Sequence, residues 1–183
     1  MQSKFINKLN LQKKIPIIGK GSNQEISDKF DRLIKEKFEI IEITLRTDEA
    51  LDIALKMKAQ YPEAIIGLGS IKSLNMLKEV CNLNFDFYIS PGINQELLNF
   101  SNSKNLNFIP GVSTPSEIMT AIECGNTLLK FFHSEMSGGV KSLEFLFDIF
   151  NDIKFIPTGG INMGNYKSYL DLPNVLAVGS TSF

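Results

Sequence analysis

The chain has 183 residues, of which 43% are hydrophobic and 21% are charged, and its net charge at pH 7 is −1. This composition is ordinary for a globular protein with a sizeable core, and we expect one domain over residues 1–183. The near-neutral charge favours neither nucleic acid nor an anionic membrane as a partner, so an acidic ligand has to be held by a local site.

The chain contains two cysteines and one histidine. Cys81 and Cys124 each lie near the end of a predicted helix, which suits reduced core residues better than a disulfide or a metal site. Lysines interrupt the first twenty residues and no apolar run reaches membrane-spanning length, so we expect a cytoplasmic protein. A single histidine, His133, argues against zinc hydrolases, Ser-His-Asp hydrolases and metal-dependent aldolases. Lysine, carboxylates and backbone amides remain as working groups, with no metal or cofactor expected.

A strand followed by a helix recurs along the chain after a polar, partly helical lead-in at residues 1–13. Strands are predicted at 14–18, 39–45, 64–67, 85–89, 106–109, 127–132, 153–156 and 175–178. Helices are predicted at 24–37, 73–81, 94–100 and 140–150, and in segments that end at residues 60, 124 and 170. Their predicted N-caps are Ser22 or Asn23, Thr47 or Asp48, Thr114 with Glu117, and Asn162.

Eight such units predict an α/β fold of the (β/α)8 barrel type rather than an open doubly wound sheet. The sequence stops two residues after Thr181, so the eighth helix is missing from it. Two explanations stay open: a truncated sequence, or coverage of that gap by the N-terminal segment and a neighbouring subunit.

The second predicted strand has an apolar face and a polar face. The apolar face carries Ile41, Ile43 and Leu45, and the polar face carries Glu42, Thr44 and Arg46. Helices cover the outside of a barrel, so the polar face is expected to point inward, with Arg46 nearest the rim. Buried charges are costly unless they are paired or used.

The sixth predicted strand has one cation, Lys130, in an otherwise apolar run. One interpretation is a lysine at a strand end that reaches water. The other is a lysine held in a dry pocket as a nucleophile, because burial disfavours the charged amine. Alternation directs Leu129 and Phe131 outward and Lys130 inward, where Glu42 can meet it. This shared interior face favours the nucleophile.

Each predicted strand ends in glycine, proline or hydroxyl residues, and those ends form the catalytic face of a barrel. Gly159 and Gly160 offer backbone amides after the seventh strand, and residues 179–181 offer more after the eighth. Loops at these two positions commonly bind phosphate in such barrels.

From about residue 15 to the C-terminus the sequence resembles the 2-keto-3-deoxy-6-phosphogluconate and 4-hydroxy-2-oxoglutarate aldolase family of class I aldolases. The resemblance lies in residues 42–47 (EITLRT), 67–70 (GLGS), 89–92 (ISPG), 109–114 (IPGVST), 130–132 (KFF), 138–141 (GGVK) and 157–161 (PTGGI). An ordered set of this kind is far more specific than any of its members.

The resemblance implies a homotrimer that cleaves a 2-keto acid to pyruvate and an aldehyde. It implies that Lys130 forms the Schiff base and Glu42 is the general acid and base. Substrate contacts implied by the resemblance come from Arg46, Ser70, Pro91, Phe131, Gly159, Gly160, Ser180 and Thr181. Arg46 and Ser70 hold the carboxylate, Pro91 and Phe131 line the pocket, and the others bind phosphate.

Three positions depart from the family pattern. Ser70 stands where the family usually has threonine, and Thr181, preceded by Ser180, stands for a family serine. His133 replaces the proline that follows Phe-Phe. Phosphate specificity is therefore less firmly indicated than Schiff-base chemistry.

Alternatives remain from the same class and from other classes. A sister aldolase for the galactonate epimer differs only in sugar stereochemistry. A barrel that binds a phosphorylated sugar acid without turnover, or a phosphosugar isomerase, would form no imine. Borohydride trapping with pyruvate separates the aldolases from these two.

Overall fold

The computed structural model describes residues 2–183, and strands alternate with helices along them. The strands are β1 Lys14–Ile18, β2 Ile40–Thr44, β3 Ile65–Gly69, β4 Phe87–Ile89, β5 Phe108–Ile109, β6 Gly111–Val112, β7 Leu128–Phe131, β8 Lys154–Pro157 and β9 Val178–Ser180. The helices are α1 Gln2–Gln12, α2 Asn23–Lys35, α3 Ala50–Gln60, α4 Leu74–Val80, α5 Gln95–Ser103, α6 Pro115–Glu123, α7 Gly139–Ile149 and α8 Tyr166–Leu170, with a 3₁₀ turn at Glu135–Ser137. The predicted lead-in is thus α1, and Met1 lies outside the described residues.

The strands form a curled parallel sheet with helices along its outer face, an α/β fold as predicted. Its ladders run in the order β5-β4-β3-β2-β1-β9 and, separately, β6-β7-β8. The predicted fifth strand, 106–109, corresponds to β5, and a short β6 follows it that the sequence did not predict; Pro110 separates the two because it has no amide hydrogen to donate to a ladder. Isolated parallel bridges at Phe155–Val175 and Thr158–Gly179 lie between the β8 and β9 segments.

Two helices begin with the side-chain caps that the sequence predicts. Ser22 and Glu25 form a capping box on α2, and Thr114 and Glu117 form another on α6, where Pro115 occupies the first turn. These caps satisfy amides that the first helical turn leaves without partners, so each helix begins at a fixed residue after its strand.

Two predicted caps are wrong. Helix α3 begins at Ala50 without a side-chain cap, so neither Thr47 nor Asp48 caps it. The Asn162 side chain accepts a hydrogen bond from the Gly164 amide in a local turn, and α8 begins only at Tyr166. Asparagine stabilises such turns as readily as helix ends, which sequence alone does not distinguish.

The last strand lies later than predicted. Val175 forms only an isolated bridge, whereas the ladder with β1 pairs Lys14 with Val178 and Pro16 with Ser180. The hydrophobicity of residues 175–178 predicted a strand there, whereas the pairing with β1 determines which residues form it. Gly179 and Ser180 are therefore strand residues rather than a loop after it.

Apolar side chains fill both sides of the curled sheet. Between the sheet and helices α2 to α5 lies one cluster, and another lies under α6 to α8. A third cluster fills the interior of the sheet, where Phe5 and Leu9 of α1 pack with Ile40, Phe87 and Ile156. The Gln12 side chain bonds to both backbone groups of Ile40, which fixes α1 beneath the start of β2.

Within residues 2–183, no helix combines the length and the apolar character needed to cross a membrane.

Tyr88 on β4 gives the fold a measurable dependence on alkaline pH. Its buried hydroxyl donates to the Val80 carbonyl at 3.2 Å, and burial raises the pKa of Tyr88 to about 12. An unfolded tyrosine has a pKa of about 10, so the unfolded chain loses this proton first as pH rises. The stabilising contribution is fully present below about pH 10 and is lost as pH rises toward about 12.

We expect the free energy of unfolding to fall between about pH 10 and 12, and Tyr88→Phe to make that fall shallower. Urea titrations across this range measure it. Between pH 7 and 9 the variant should lose only a constant amount, about 1 kcal/mol for the hydrogen bond. An unchanged alkaline slope in the variant would contradict this assignment.

Candidate active site

Glu42 of β2 and Lys130 of β7 meet in the interior of the curled sheet, as alternation predicts. The Lys130 ammonium nitrogen lies 3.9 Å from Glu42 Oε1, and the two residues are only 5% and 2% exposed. Ile41 and Ile43 pack outward under the helices, and so does Leu129. An amine and a carboxylate that share a dry environment are suited to nucleophilic attack and proton transfer.

Gly69 at the end of β3 makes room for the carboxylate. A Cβ atom on Gly69 would collide with Glu42 Oε1. That oxygen is buried and accepts no hydrogen bond from the described residues, so the lysine is its polar neighbour. The Lys130 ammonium also lies 4.9 Å from the centre of the Phe132 ring, an attractive contact for a cation.

Arg46 and Ser70 form the outer part of the site. The Arg46 Nε–H donates to Ser70 Oγ at 3.0 Å, which leaves the two terminal nitrogens of the guanidinium for a ligand. Ser70 is buried and has a φ of +64°, a left-handed conformation directly after β3 that directs its hydroxyl to Arg46. This fork can bind a planar carboxylate through two hydrogen bonds.

A cavity of about 260 Å³ joins these groups to the glycine-rich segments. It is lined by Ile17, Glu42, Thr44, Arg46, Lys130, Phe132, His133, Thr158, Gly159, Gly160, Ile161, Gly179, Ser180 and Thr181. A larger cavity of about 440 Å³ lies beside α1 at the other end of the strands, and none of its described lining residues is charged. The cavity that brings together Glu42, Lys130 and Arg46 is the candidate active site, because it joins a buried amine and carboxylate to a guanidinium.

Gly159 and Gly160 follow β8 and line the part of the cavity called here the glycine end. Both have positive φ, +98° and +80°, which favours glycine. A Cβ on Gly159 would lie 2.6 Å from the His133 ring, and a Cβ on Gly160 would collide with the Glu135 side chain. These contacts hold two successive backbone amides beside the cavity without side chains of their own.

Glu135 is fixed in turn by Tyr169 of α8, whose hydroxyl donates to Glu135 Oε1. Burial raises the pKa of Tyr169 to about 12, with a further contribution from this hydrogen bond. The 3₁₀ turn, the Gly160 loop and α8 are thereby tied together on one side of the cavity.

Ser180 and Thr181 complete that end. The buried Ser180 hydroxyl donates to the Ile161 carbonyl and accepts from the Ser182 amide. The Lys29 ammonium donates to the Thr181 carbonyl at 2.7 Å and to the Ile17 carbonyl at 3.3 Å. Burial and the nearby Arg32 lower the pKa of Lys29.

Three residues that the family resemblance puts in contact with the substrate do not line this cavity. Phe131 packs outward in the cluster under α6 to α8. Pro91 is exposed after β4, and its backbone lies against Gly111, the register partner of Lys130. Ser70 reaches the site through Arg46 rather than as a lining residue.

Sequence reasoning missed Phe132 and Thr158, although a signal was available for one of them. Phe132 is two residues from Lys130 and shares its side of the strand, so alternation would have identified it. Thr158 lies at the end of a predicted strand, and nothing in the sequence pattern indicates that it faces the cavity. Within residues 2–183 no group of three or more His, Cys, Asp or Glu residues is arranged to hold a metal ion.

Comparisons with known proteins agree on one family. A family model described as KDPG and KHG aldolase matches residues 5–183. A 2-dehydro-3-deoxy-phosphogluconate aldolase of Pseudoalteromonas atlantica is 43% identical over 149 residues, which cover 81% of this chain and 69% of that protein. A KHG/KDPG aldolase of Escherichia coli is 39% identical over 142 residues, covering 78% and 67%.

Solved structures agree with the sequence relatives. A KDPG aldolase from Legionella pneumophila, with pyruvate captured at low pH as a covalent carbinolamine intermediate, superposes with a TM-score of 0.91 at 32% identity. The match covers 96% of this chain and 85% of that chain. The corresponding aldolase of Zymomonas mobilis, solved with 3-phosphoglycerate, has a TM-score of 0.91 at 27% identity, covering 96% and 83%.

Substitution of Gly69 tests the packing of the buried pair. We expect Gly69→Ala to lower the free energy of unfolding by about 1–3 kcal/mol, because the new methyl group displaces the Glu42 carboxylate. Urea denaturation measures the loss. Gly92→Ala is the matched control, since a Cβ there meets nothing within 4 Å.

A double mutant tests whether the stability lost in Gly69→Ala is caused by the collision with Glu42. Glu42→Ala combined with Gly69→Ala should be more stable than the sum of the two single changes predicts, because the carboxylate that collides is gone. Strict additivity would show that the strain in Gly69→Ala lies elsewhere.

Proposed function

The chain belongs to the KDPG and KHG aldolase family, and we propose that it cleaves 2-keto-3-deoxy-6-phosphogluconate to pyruvate and glyceraldehyde 3-phosphate through a Schiff base on Lys130. It is a carbon–carbon lyase by that membership. The observation that carries the assignment of the lysine is its burial beside Glu42, facing the cavity. The shorter 4-hydroxy-2-oxoglutarate, which yields pyruvate and glyoxylate, is the second substrate that relatives' names suggest.

Lys130 acts as the nucleophile in this proposal. Its neutral amine adds to the 2-keto carbon to form a carbinolamine, and loss of water gives a protonated imine. The imine draws the electron pair of the C3–C4 bond toward nitrogen as that bond breaks, which leaves an enamine on the lysine. Protonation at C3 and addition of water then release pyruvate and restore the amine. The carbinolamine of the Legionella protein is consistent with the first step.

Glu42 moves the protons. As a carboxylate it accepts the proton of the C4 hydroxyl while the C3–C4 bond breaks, so that the aldehyde product leaves neutral at that oxygen. It also donates and recovers the proton needed when the carbinolamine loses water. A separation of 3.9 Å from the lysine leaves room for direct or water-mediated transfer.

Arg46 fixes the substrate at its carboxylate end. The guanidinium forks onto the carboxylate, and Ser70 holds that fork through the Nε–H. Pro91 and Phe131 do not contact the substrate in this proposal, but they support the strands that form the pocket. Phe131 anchors the outer face of β7, and the Pro91 backbone packs against Gly111, which pairs with Lys130.

The phosphate lies at the other end of the cavity. Backbone amides at Gly159 and Gly160 bind it, with the Thr181 segment opposite. The Ser180 hydroxyl orders that segment through its bonds to Ile161 and Ser182. The Zymomonas relative was solved with a phosphorylated acid, 3-phosphoglycerate, which fits a site of this chemistry.

The same proposal includes a closed (β/α)8 barrel, formed as one domain of a cytoplasmic enzyme. Closure is supported by the two bridges between β8 and β9 and by the single residue, Pro110, that separates β5 from β6. A closed barrel would put Glu42 and Lys130 on opposite walls of one interior.

A homotrimer is proposed from the exposed apolar residues of two successive helices. Met119 and Ile122 of α6 and Phe145 and Ile149 of α7 are 41–62% exposed. Clusters of large apolar side chains at a surface typically mark an interface between subunits.

Borohydride trapping tests the nucleophile. Pyruvate followed by borohydride should add the mass of pyruvic acid less one oxygen atom to the chain, at Lys130, as read by peptide mass spectrometry. Lys130→Met should abolish the adduct and lower the cleavage rate by about three orders of magnitude or more. The control Lys72→Met removes an exposed lysine outside the cavity and should change neither result. Trapping that persists in Lys130→Met would reject Lys130 as the nucleophile.

Sedimentation tests the trimer. Phe145→Glu puts a charge into the α6–α7 surface and should shift the mass from three chains toward one. Leu11→Glu changes a residue of α1 that is 79% exposed and should leave the mass unchanged. A wild-type chain that sediments as a monomer would refute the assembly.

A further inference from the structure

His133 is the residue of the cavity that departs most from the family pattern, since a proline is expected after Phe-Phe. The structure places its imidazole inside the cavity, between Phe132 and the glycine loop. Ring centres of Phe132 and His133 lie 5.2 Å apart. A side chain with two ring nitrogens therefore occupies a position where proline would offer none.

The backbone holds this imidazole in place. The Ser134 amide donates to the Thr158 carbonyl at 2.8 Å, and the Glu135 amide donates to the Gly159 carbonyl at 3.1 Å. These bonds join the segment after Lys130 to the segment after β8. The ring consequently lies flat against Gly159, where a Cβ atom would approach it to 2.6 Å.

The ring nitrogen Nδ1 is buried and has no hydrogen-bond partner among the described residues. Buried polar atoms without partners are uncommon in native proteins, and each one calls for an explanation. The chain therefore leaves part of the hydrogen-bonding capacity of this ring unused.

Charge is distributed unevenly along the cavity. In the proposed mechanism, the positively charged side chains of Lys130 and Arg46 bind the 2-keto acid group of the substrate. At the glycine end, His133 is the one described lining side chain that can carry a positive charge, and the rest are glycines, hydroxyls and Ile161. The ammonium of Lys29 is directed at the Thr181 and Ile17 carbonyls.

We propose that the His133 imidazole donates a hydrogen bond to the phosphate of the substrate and so sets the preference of this chain for phosphorylated over unphosphorylated 2-keto acids. This inference rests on the proposed function and adds to it a specificity-determining side chain. A phosphate held by the Gly159 and Gly160 amides lies beside the ring that stacks on Gly159. His133 supplies to that phosphate a directional donor that proline lacks.

Three versions of the chain test the proposal: wild type, His133→Phe, which keeps a ring against Gly159, and His133→Asn, which keeps a nitrogen donor. Cleavage is measured for 2-keto-3-deoxy-6-phosphogluconate and for the same acid without phosphate. We expect His133→Phe to lower kcat/KM for the phosphorylated acid by about 10- to 100-fold, mainly through KM. The unphosphorylated acid should change by less than about twofold, and His133→Asn should recover part of the loss.

Binding of 3-phosphoglycerate, followed by calorimetry, gives a readout that does not depend on turnover. His133→Phe should weaken this binding by a similar factor. Equal losses for both acids, or no loss for either, would overturn the proposal, and so would unchanged 3-phosphoglycerate binding.

Pyruvate trapping at Lys130 distinguishes a failure of the proposed role of His133 from a failure of the proposed aldolase function. If His133→Phe traps pyruvate as the wild type does, its Schiff-base site is intact. The comparison of the two substrates then decides the role of His133. If the wild type neither traps pyruvate nor cleaves either acid, the proposed function fails, and the binding measurement alone decides whether His133 contacts a phosphate.

Discussion

A buried charge pair constrains the whole site. Lys130 and Glu42 come from strands that are not neighbours in either ladder, so their meeting requires the sheet to curl. Removal of one partner from such a pair costs about 3–5 kcal/mol, because the other is left buried without compensation. Gly69 keeps the space beside the carboxylate open. The buried pair therefore depends on two features of the fold. The sheet must curl to bring the two strands together, and the residue at the end of β3 must be a glycine.

Alternation along the strands allowed the centre of the site to be predicted. It placed Glu42 and Lys130 inside and directed Phe131 outward, and the structure agrees on all three. The family resemblance suggested instead that Phe131 lines the pocket, whereas Phe132 is the residue that lies there. Where the two lines of reasoning differed, the period-two geometry of the strand gave the better guide to side-chain direction.

Other features depend on contacts that sequence patterns do not contain. Glu135 and Tyr169 are 34 positions apart, and neither belongs to a motif, yet their hydrogen bond fixes one wall of the cavity. The late start of α8 reflects a turn at Asn162 that competes with a helix cap. The position of β9 is set by pairing with β1 rather than by its own hydrophobicity. Element order was predictable, whereas long-range pairing and local competition were not.

Helix α1 has a consequence for the timing of product departure. Phe5, Leu9 and the isoleucines of the interior cluster pack together inside the sheet at the α1 end. In the proposed mechanism, water that hydrolyses the lysine adduct would then reach it from the opposite end of the sheet, which is also the way out for the aldehyde. On that route the aldehyde would leave before water enters, and pyruvate would be released last.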